Sequence, residues 1–390
     1  MISVDEALDQ LLALATPLAT ESVPLIHAAG RVLAEPAIAQ RDQPPFAASS
    51  MDGYAIKSAE AELHVQLKVI GEAAAGHRFE GPVGAGQAVR IFTGAPVPEG
   101  ADFVVIQEDV ERTGDLITIV DDPGTKTNIR PAGGDFTKGT RIDAPRRLSA
   151  QDVALLASMN IPNVTVARKP DVVLISTGDE LVLPGEDPGP DQIIASNTFG
   201  LKAMLDSLGA HPRILPIARD NEASLRTAFK LAEGADLIIT IGGASVGDHD
   251  LVGDVAADLG MDRSFYKVAM RPGKPLMAGR MGVAAMIGLP GNPVSAMVCG
   301  HVFVAPVIAK MQGLGDTRPT PMSASLAEPI SQNGPRTHYM RAVVENGEVT
   351  AFDRQDSSLL TVLSQANALL IRPPHDPARP AGDTVSYIEI

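Results

Sequence analysis

The opening residues of the chain place apolar side chains at the spacing of one helix face. Ser3 and Glu6 match a capping box, and the apolar positions around them are Val4, Ala7, Leu8, Leu11, Leu12 and Ala15. Ser149 and Asp152 introduce a second run of this kind, with Val153, Leu156 and Ala157 on one face. The pattern predicts two amphipathic helices. Because the sequence between them changes character, it also indicates that one domain is inserted into another.

Short apolar runs separated by Gly and Pro fill the stretch between these helices. Three of them have the length and composition of strands: Val65–Ile70, Phe103–Ile106 and Leu116–Val120. We therefore predict an inserted β-domain over residues 41–137, with residues 1–40 and 138–169 as the two halves of a split, helix-containing domain. A similar texture after residue 314 predicts a C-terminal β-domain over residues 314–390, with runs at Tyr339–Val344, Leu369–Ile371 and Val385–Ile388.

Strand and helix patterns alternate between residues 170 and 313. The predicted strands include Val172–Ser176, Leu215–Ile217 and Leu237–Ile241, and one helical face between them ends at a C-cap glycine, Gly209. Such alternation predicts a parallel, doubly wound sheet with helices on both faces. Ligands bind to sheets of this kind where the strands end and the loops begin.

Net charge limits the classes of partner. The 390 residues include 47 acidic and 32 basic side chains, for a formal charge of −15. Phosphate backbones and anionic membranes are bound through basic surfaces, so this charge argues against nucleic acid or membrane as the main partner. An anionic substrate must then meet a local basic pocket.

Cysteine usage and the apolar runs indicate a cytoplasmic protein. The single cysteine, Cys299, rules out an internal disulfide and a cysteine-based zinc cluster, as is typical of a reducing compartment. The N-terminus carries Asp5 and Glu6 and does not resemble a signal peptide. The longest apolar run, Ala296–Ala309, is shorter than the roughly 20 residues that a membrane span needs.

The first of three unusual loops follows the predicted strand Val172–Ser176. It reads Ser176-Thr177-Gly178-Asp179-Glu180 and brings hydroxyls, a glycine and two carboxylates to the edge of the sheet. Carboxylates at such an edge can hold Mg²⁺ against phosphate oxygens. The alternative is that both acids only cap or solvate a turn.

The second loop, residues 242–250, reads Gly-Gly-Ala-Ser-Val-Gly-Asp-His-Asp. Its glycines allow close approach of the backbone to a ligand, and Asp248 or Asp250 could complete a cation site with Glu180 and Asp220. The same letters spell the G-x-S-x-G elbow of hydrolases around Ser245. In that alternative a base would come from His301, His338 or His375.

The third loop, Gly288-Leu289-Pro290-Gly291-Asn292-Pro293-Val294-Ser295, predicts a helix N-terminus, with Asn292 as N-cap and Pro293 in the first turn. Free N–H groups at such an end attract phosphate, although a turn without a ligand has the same pattern. Between the second and third loops, a proline-restricted segment carries the cations that an anionic substrate requires: Lys267, Arg271 and Lys274.

Six motifs in order resemble the MoeA/gephyrin E-domain family of molybdopterin molybdenumtransferases. They are Met51-Asp52-Gly53-Tyr54-Ala55, Thr93-Gly94-Ala95-Pro96-Val97-Pro98, Ser176-Thr177-Gly178-Asp179-Glu180-Leu181, Gly242-Gly243-x-Ser245-x-Gly247-x-x-Asp250, Pro272-Gly273-Lys274-Pro275 and Gly288-Leu289-Pro290-Gly291-Asn292-Pro293-Val294-Ser295.

The resemblance implies a multidomain α/β protein. Its central doubly wound domain would be MoaB/MogA-like, accompanied by an inserted β-domain, a split α-containing domain and a C-terminal β-domain. It further implies a homodimer whose active site lies between the α/β domain of one subunit and the inserted domain of the other. The family's reaction takes adenylylated molybdopterin and molybdate, cleaves the adenylate with Mg²⁺, places molybdenum on the dithiolene and releases AMP. The molybdopterin adenylyltransferase is an implied partner.

Residue roles follow from the resemblance position by position. Glu180 and Asp250 would hold Mg²⁺, and catalytic roles fall on Glu180, Asp220 and Asp250, with Asp52 and Thr93 reaching in from the partner subunit. Molybdate would meet Arg271, Lys274, Arg336 and Ser357 or Ser358, while Asp135 and Lys267 shape the pterin pocket. The other implied substrate-binding residues are Ser176, Thr177, Gly178, Asn197, Gly242, Gly243, Ser245, Gly247, Pro290, Asn292 and Ser295.

Three alternatives remain open from the sequence. The first is the related step that adenylylates molybdopterin with ATP, against which the inserted domain and the Lys274 loop argue. The second is a non-catalytic scaffold, which does not account for an intact set of acidic and basic site residues. The third is the serine hydrolase at Ser245.

Overall fold

The computed structural model describes residues 1–243, 251–315 and 318–390. A π-helical turn, Gly300–Val304, joins the helices Pro293–Cys299 and Ala305–Met311 into one run. Both predicted capping boxes are confirmed: the Ser3 side chain accepts from the Glu6 N–H, and the Ser149 side chain accepts from the Asp152 N–H. The helices are α1 (Val4–Leu14), α2 (Ala150–Ser158), α3 (Asn197–Ser207), α4 (Glu222–Leu231), α5 (Leu251–Asp258), α6 (Pro293–Cys299), α7 (Ala305–Met311) and α8 (Leu360–Leu363).

The two predicted amphipathic helices pack in different cores. The buried face of α1, including Leu8 and Leu11, joins the core of the α/β sheet together with Phe303. Leu156 of α2 instead packs with Leu33. A four-stranded sheet joins residues 1–40 to residues 138–169, the two parts of the predicted split domain. Its strand order is Thr20–Pro24, Asn163–Ala167, Val32–Leu33, Arg146–Arg147.

The predicted inserted domain, residues 41–137, contains a six-stranded sheet. The predicted strand Phe103–Ile106 has the same bounds in the structure, and the predicted run at residue 65 is the strand Gln66–Ala73. Ala48–Ser49 pairs separately with Ile129–Arg130. A further short pair, Ala37–Ile38 with Arg141–Ile142, packs in the core of Leu33 and Leu156. The strand order is Phe103–Ile106, Gly53–Ile56, Gln87–Ile91, Gln66–Ala73, Leu116–Ile119, Val110–Thr113.

The predicted doubly wound domain is confirmed. Its four parallel strands continue into two antiparallel ones, and α3 and α6 pack on one face while α4 and α5 pack on the other. The order is His211–Ile214, Asp171–Ser176, Leu237–Ile241, Ala284–Leu289, Met277–Met281, Asp262–Tyr266. A short parallel pair, Leu181–Val182 with Ile193–Ile194, flanks the sheet.

One predicted strand is wrong. The chain is extended over His211–Ile214, and the predicted Leu215–Ile217 follows the strand. This strand lies at the edge of the sheet and has a single fully buried position, Pro212, so it lacks the continuous apolar run of a central strand. The apolar Leu215 packs instead against the core that contains Leu225 of α4.

The helical run Pro293–Met311 is long and apolar enough, by length and composition, to cross a membrane. Most of it is buried in the molecule, where Val294, Val298 and Phe303 have almost no exposed surface. Cys299 is buried in the same core, and this burial raises the pKa of its thiol, as expected for a packing residue.

The C-terminal chain forms a six-stranded sheet closed by the pairing of Thr337–Glu345 with Ala368–Arg372. Its edge strand, Met270–Arg271, comes from the basic segment of the α/β region and pairs with Thr337–His338. The basic segment therefore connects the α/β sheet with this barrel. The order is Met270–Arg271, Thr337–Glu345, Glu348–Ala351, Met322–Leu326, Thr384–Glu389, Ala368–Arg372.

Candidate active site

A cleft of about 950 Å³ opens where the parallel strands of the α/β sheet end. The strand-end loops line it as predicted, and the barrel contributes one residue, Ser358. The side chains of Ile193 and Ile194 also line it; no polar motif in the sequence marks them. The predicted site residues that the structure brings together here are Ser176, Thr177, Gly178, Glu180, Asn197, Asp220, Gly242, Gly243, Pro290, Asn292 and Ser358.

The glycine turn in the cleft packs closely against its neighbours. Gly242 and Gly243 have φ of +89° and +70°. A Cβ on Gly242 would lie 2.9 Å from the Thr177 carbonyl oxygen, and one on Gly243 would lie 2.2 Å from a methyl carbon of Val252. Both positions therefore require glycine. The Thr177 Oγ1 beside them is buried and has no hydrogen-bond partner among the described residues.

The two adjacent acids of the first loop have different roles. Asp179 does not line the cleft, and its Oδ1 accepts from the Asp220 N–H at 3.3 Å. The Glu180 carboxylate lies over Gly178, where a Cβ would be 2.3 Å from Glu180 Oε2. Glu180 and Asp220 thus present carboxylates to the cleft, while Asp179 supports the turn.

The third loop forms the predicted helix start. Asn292 is the N-cap residue of α6 with an extended ψ of 128°, and Pro293 follows in the first turn. The Asn292 side chain makes no capping hydrogen bond, and the residue lines the cleft. Asn197 Nδ2 donates to the Gly291 carbonyl at 2.7 Å and ties α3 to this loop. Ser295 is buried one turn further and does not line the cleft.

The barrel loop that carries Ser357 and Ser358 is attached to α6. The Val294 N–H donates to the Ser357 carbonyl at 3.1 Å. The N–H and Oγ of Ser358 both donate to Asp356 Oδ1, at 2.8 and 2.6 Å. These bonds to Ser358 are the main cause that holds the pKa of Asp356 below its usual range.

The predicted cations stand beside the cleft rather than in its wall. Pro275 lines the cleft directly after the half-buried Lys274, while Lys267 stacks its ammonium 4.7 Å from the Tyr266 ring. Arg271 is exposed and lines a separate cavity of about 420 Å³ in the barrel. Arg336 Nη1 donates to the Met270 carbonyl at 3.2 Å.

The residues predicted to come from the inserted domain do not line the cleft of their own chain. Asp52 Oδ1 accepts from the Thr93 N–H at 2.8 Å and from Thr93 Oγ1 at 2.7 Å, and these two bonds lower the pKa of Asp52. The Arg90 guanidinium stacks on Tyr54 next to this pair. Asp135 is fixed separately, its N–H donating to the Gln43 carbonyl.

Three predicted site residues, Ser245, Gly247 and Asp250, lie outside the described residues, so only Glu180 of the predicted metal pair Glu180 and Asp250 is described. Within residues 1–243, 251–315 and 318–390, no group of three or more His, Cys, Asp or Glu side chains is arranged to hold a metal. The three histidines of the hydrolase alternative, His301, His338 and His375, all lie outside the cleft wall.

Three family models match the chain in order. They are the "MoeA N-terminal region (domain I and II)" over residues 2–160, the "Probable molybdopterin binding domain" over residues 173–310, and the "MoeA C-terminal region (domain IV)" over residues 323–390.

Curated relatives and solved structures agree with these models. A Haemophilus influenzae protein named "Molybdopterin molybdenumtransferase" is 36% identical over 396 residues, covering 99% of this chain and 98% of the relative. A Bacillus subtilis protein of the same name is 33% identical, covering 100% of this chain and 94% of the relative. A crystal structure of the molybdopterin biosynthesis moeA protein from Pyrococcus horikoshii OT3 has a TM-score of 0.85 at 28% identity and full coverage of both chains.

Proposed function

The chain belongs to the MoeA family, and we propose that its cleft binds adenylylated molybdopterin and molybdate, cleaves the adenylate with Mg²⁺, transfers molybdenum to the dithiolene and releases AMP. The protein is a transferase of molybdenum cofactor biosynthesis, a molybdopterin molybdenumtransferase like its curated relatives.

One observation carries this proposal. A single cleft combines a glycine turn, two carboxylates and the first turn of α6, and the barrel loop with Ser358 closes one side of it. Backbone N–H groups at a glycine turn and at a helix start bind phosphate oxygens. The cleft is therefore suited to a substrate with two linked phosphates, as in an adenylylated pterin.

The donors in the cleft fit Mg²⁺, which prefers oxygen ligands. Glu180 and Asp220 supply carboxylate oxygens, and Thr177 Oγ1, which bonds to none of the described residues, is one more oxygen at the same edge. We assign the metal to Glu180, with Asp250 as the second ligand implied by the resemblance. When bound, Mg²⁺ would neutralise charge on the phosphates.

Molybdate is the second substrate, and we assign it to the cations and hydroxyls between the cleft and the barrel. Lys274 and Arg271 lie on the segment that joins the two, and Arg336 is fixed to that segment through the Met270 carbonyl. Ser357 or Ser358 approaches from the barrel loop. A positive edge of this kind attracts an oxyanion into a protein that is acidic overall.

The inserted domain supports a shared active site. Because Asp52, Thr93 and Asp135 do not line the cleft of their own chain, we propose a homodimer in which they meet the cleft of the partner subunit. The exposed Thr93, held against Asp52, would then complete the site from outside.

The test is release of AMP by the purified protein with adenylylated molybdopterin, molybdate and Mg²⁺. Glu180→Ala should reduce the rate by about 100-fold or more, since a metal-ligating carboxylate is lost. Asp187→Ala, an exposed acid on the same stretch of chain that does not line the cleft, serves as the control and should keep the normal rate. Full activity of folded Glu180→Ala would refute the metal assignment. AMP incorporation from ATP into molybdopterin would favour the adenylyltransferase instead.

A further inference from the structure

The strand Thr337–Glu345 carries a buried charge that the sequence motifs do not mark. Arg341 has 0% exposed surface. Its Nη2 donates to the Asp356 carbonyl at 2.9 Å and to the Arg354 carbonyl at 3.3 Å. Its Nε and Nη1 have no hydrogen-bond partner among the described residues. Among the described residues, the guanidinium therefore donates hydrogen bonds only to main-chain carbonyls of one loop, residues 354–358.

A buried cation without a close carboxylate is costly, and apolar residues of similar volume are often tolerated better at such positions. Burial lowers the pKa of Arg341, and the charge of Asp356 opposes this effect from a longer distance. By contrast, Arg372 in the paired strand is as deeply buried but has Asp376 as its ionic partner. The hydrogen bonds from Arg341 to the loop carbonyls offset part of the free-energy cost of burying this charge.

The same loop is fixed to the main chain of Arg341 through Gln355. The Arg341 N–H donates to Gln355 Oε1 at 3.0 Å, and Gln355 Nε2 donates back to the Arg341 carbonyl at 2.9 Å. Gln355 Nε2 also donates to the Phe352 carbonyl at 2.7 Å. Side chain and main chain of Arg341 thus hold both sides of the loop.

The far end of the loop reaches the cleft. Ser357 accepts from the Val294 N–H in the first turn of α6, and Ser358 lines the cleft. Arg341 therefore holds one part of residues 354–358, and the adjoining residues of the same loop contact α6 and the cleft.

We propose that Arg341 is the positioning residue for the Ser357–Ser358 loop, fixing it against α6 so that its polar groups meet the oxyanion substrate. This inference rests on the proposed function for the identity of the oxyanion, and it adds a residue to which neither the motifs nor the comparisons assign a role. Arg341 acts through the loop and does not touch substrate. It controls oxyanion affinity rather than nucleotide affinity, because the nucleotide side of the cleft is built from the α/β loops.

The test uses the full-length protein and two substitutions. Arg341→Met removes both bonds to the loop carbonyls while nearly keeping volume, and Arg341→Lys restores the charge with fewer donors. Arg372→Lys is the matched control, since Arg372 is equally buried in the adjacent strand but bonds to Asp376 and Pro377. Two quantities are measured: hydrogen exchange of the amides in residues 354–359, and the Kd of molybdate and of AMP by calorimetry with Mg²⁺ present.

For Arg341→Met we expect exchange in residues 354–359 to accelerate and the Kd of molybdate to rise, each by about tenfold or more, as for the loss of one or two hydrogen bonds. The Kd of AMP should stay within about twofold, because the α/β loops are unchanged. Arg341→Lys should lie between Arg341→Met and the unmodified protein. Arg372→Lys should leave loop exchange and both Kd values unchanged.

Unchanged exchange and molybdate Kd in a folded Arg341→Met variant would overturn the inference. So would an equal loss of molybdate affinity in Arg372→Lys, which would indicate a general effect of barrel stability. If the unmodified protein binds no molybdate while Arg341→Met still loosens the loop, the positioning role of Arg341 stands and the proposed function fails.

Discussion

At the scale of single residues, the Thr177 hydroxyl is informative, because it is buried and no described residue forms a hydrogen bond with it. Thr177→Val should leave the free energy of unfolding unchanged or raise it, because a buried hydroxyl without a partner costs about 1–3 kcal/mol. If Thr177 Oγ1 serves the ligand, the same substitution should weaken AMP binding by about tenfold. Thr240 is the control: its Oγ1 is also buried without a hydrogen-bond partner in the described part of the chain, but it lies outside the cleft wall.

Both variants are compared by urea unfolding and by calorimetric titration with AMP. Thr240→Val should match Thr177→Val in stability and leave AMP affinity unchanged. Equal AMP affinity in the two variants would remove Thr177 from the site.

The buried His338 should make the free energy of unfolding depend on pH. Burial, followed by the positive charges around it, lowers its pKa from 6.5 to about 4. In the window from pH 6.5 down to 4 the unfolded chain therefore binds a proton that the folded chain does not bind, so stability decreases as the pH falls through this window. Below the window this group has no further effect. The charges are those of Arg271, Arg341, Arg372 and Arg336.

His338→Gln should remove part of the loss of stability between pH 7.5 and pH 5, by at most about 1.4 kcal/mol for each pH unit. The difference is read from urea midpoints at the two pH values, with the exposed His27→Gln as control. The same pH dependence in His338→Gln as in the unmodified protein would contradict a neutral, buried imidazole.

At the scale of elements, the glycine turn after the strand Leu237–Ile241 is the most constrained part of the cleft. Gly242→Ala must hold a side chain at φ +89° with its Cβ 2.9 Å from the Thr177 carbonyl oxygen. Gly382 has nearly the same φ, +88°, in open space. Gly382→Ala should cost about 1 kcal/mol for the left-handed backbone, and Gly242→Ala clearly more, because a strand-end backbone cannot easily move away.

Urea unfolding of the two alanine variants measures this difference. A weaker AMP affinity in Gly242→Ala, with none in Gly382→Ala, should accompany it. Equal costs would mean that the turn can relax and that its close approach to Thr177 is unimportant.

Most of these elements could be predicted from the sequence, for a physical reason. Central parallel strands such as Leu237–Ile241 are buried on both faces and leave a continuous apolar run. The edge strand His211–Ile214 has no such run and was predicted a few residues too late. The strand Met270–Arg271 is too short to leave a period, and only tertiary pairing with the barrel defines it.

The site residues could likewise be predicted from the sequence only in part. Loops at strand ends converge by topology, so Thr177, Glu180, Gly242 and Asn292 could be placed in one cleft from the sequence. Arg341 could not be recognised, because an arginine in an alternating strand is usually an exposed residue. Its role depends on the distant loop that it contacts, which only the fold reveals.

At the scale of the whole molecule, the separation of Asp52 from the cleft of its own chain predicts an active site shared between subunits. Asp52→Ala and Glu180→Ala homodimers should each lose AMP release. A mixed dimer of the two variants should regain one intact site, because the Glu180 of one chain then meets the Asp52 of the other. Its activity should reach about half that of the unmodified dimer.

Co-expression with two different affinity tags isolates the mixed dimer for this assay. An inactive mixed dimer would place Asp52 and Glu180 in the same chain's site, and a monomer in light scattering would exclude sharing altogether.

We propose that nucleotide and oxometallate meet at one crevice of this acidic protein. The most direct measurement is anomalous diffraction at the molybdenum edge from crystals soaked with AMP, Mg²⁺ and molybdate. We predict AMP in the cleft of Glu180 and Asn292, and a molybdenum peak beside Lys274 and the loop of Ser358. AMP outside that cleft, or molybdenum at a distant surface, would contradict the account.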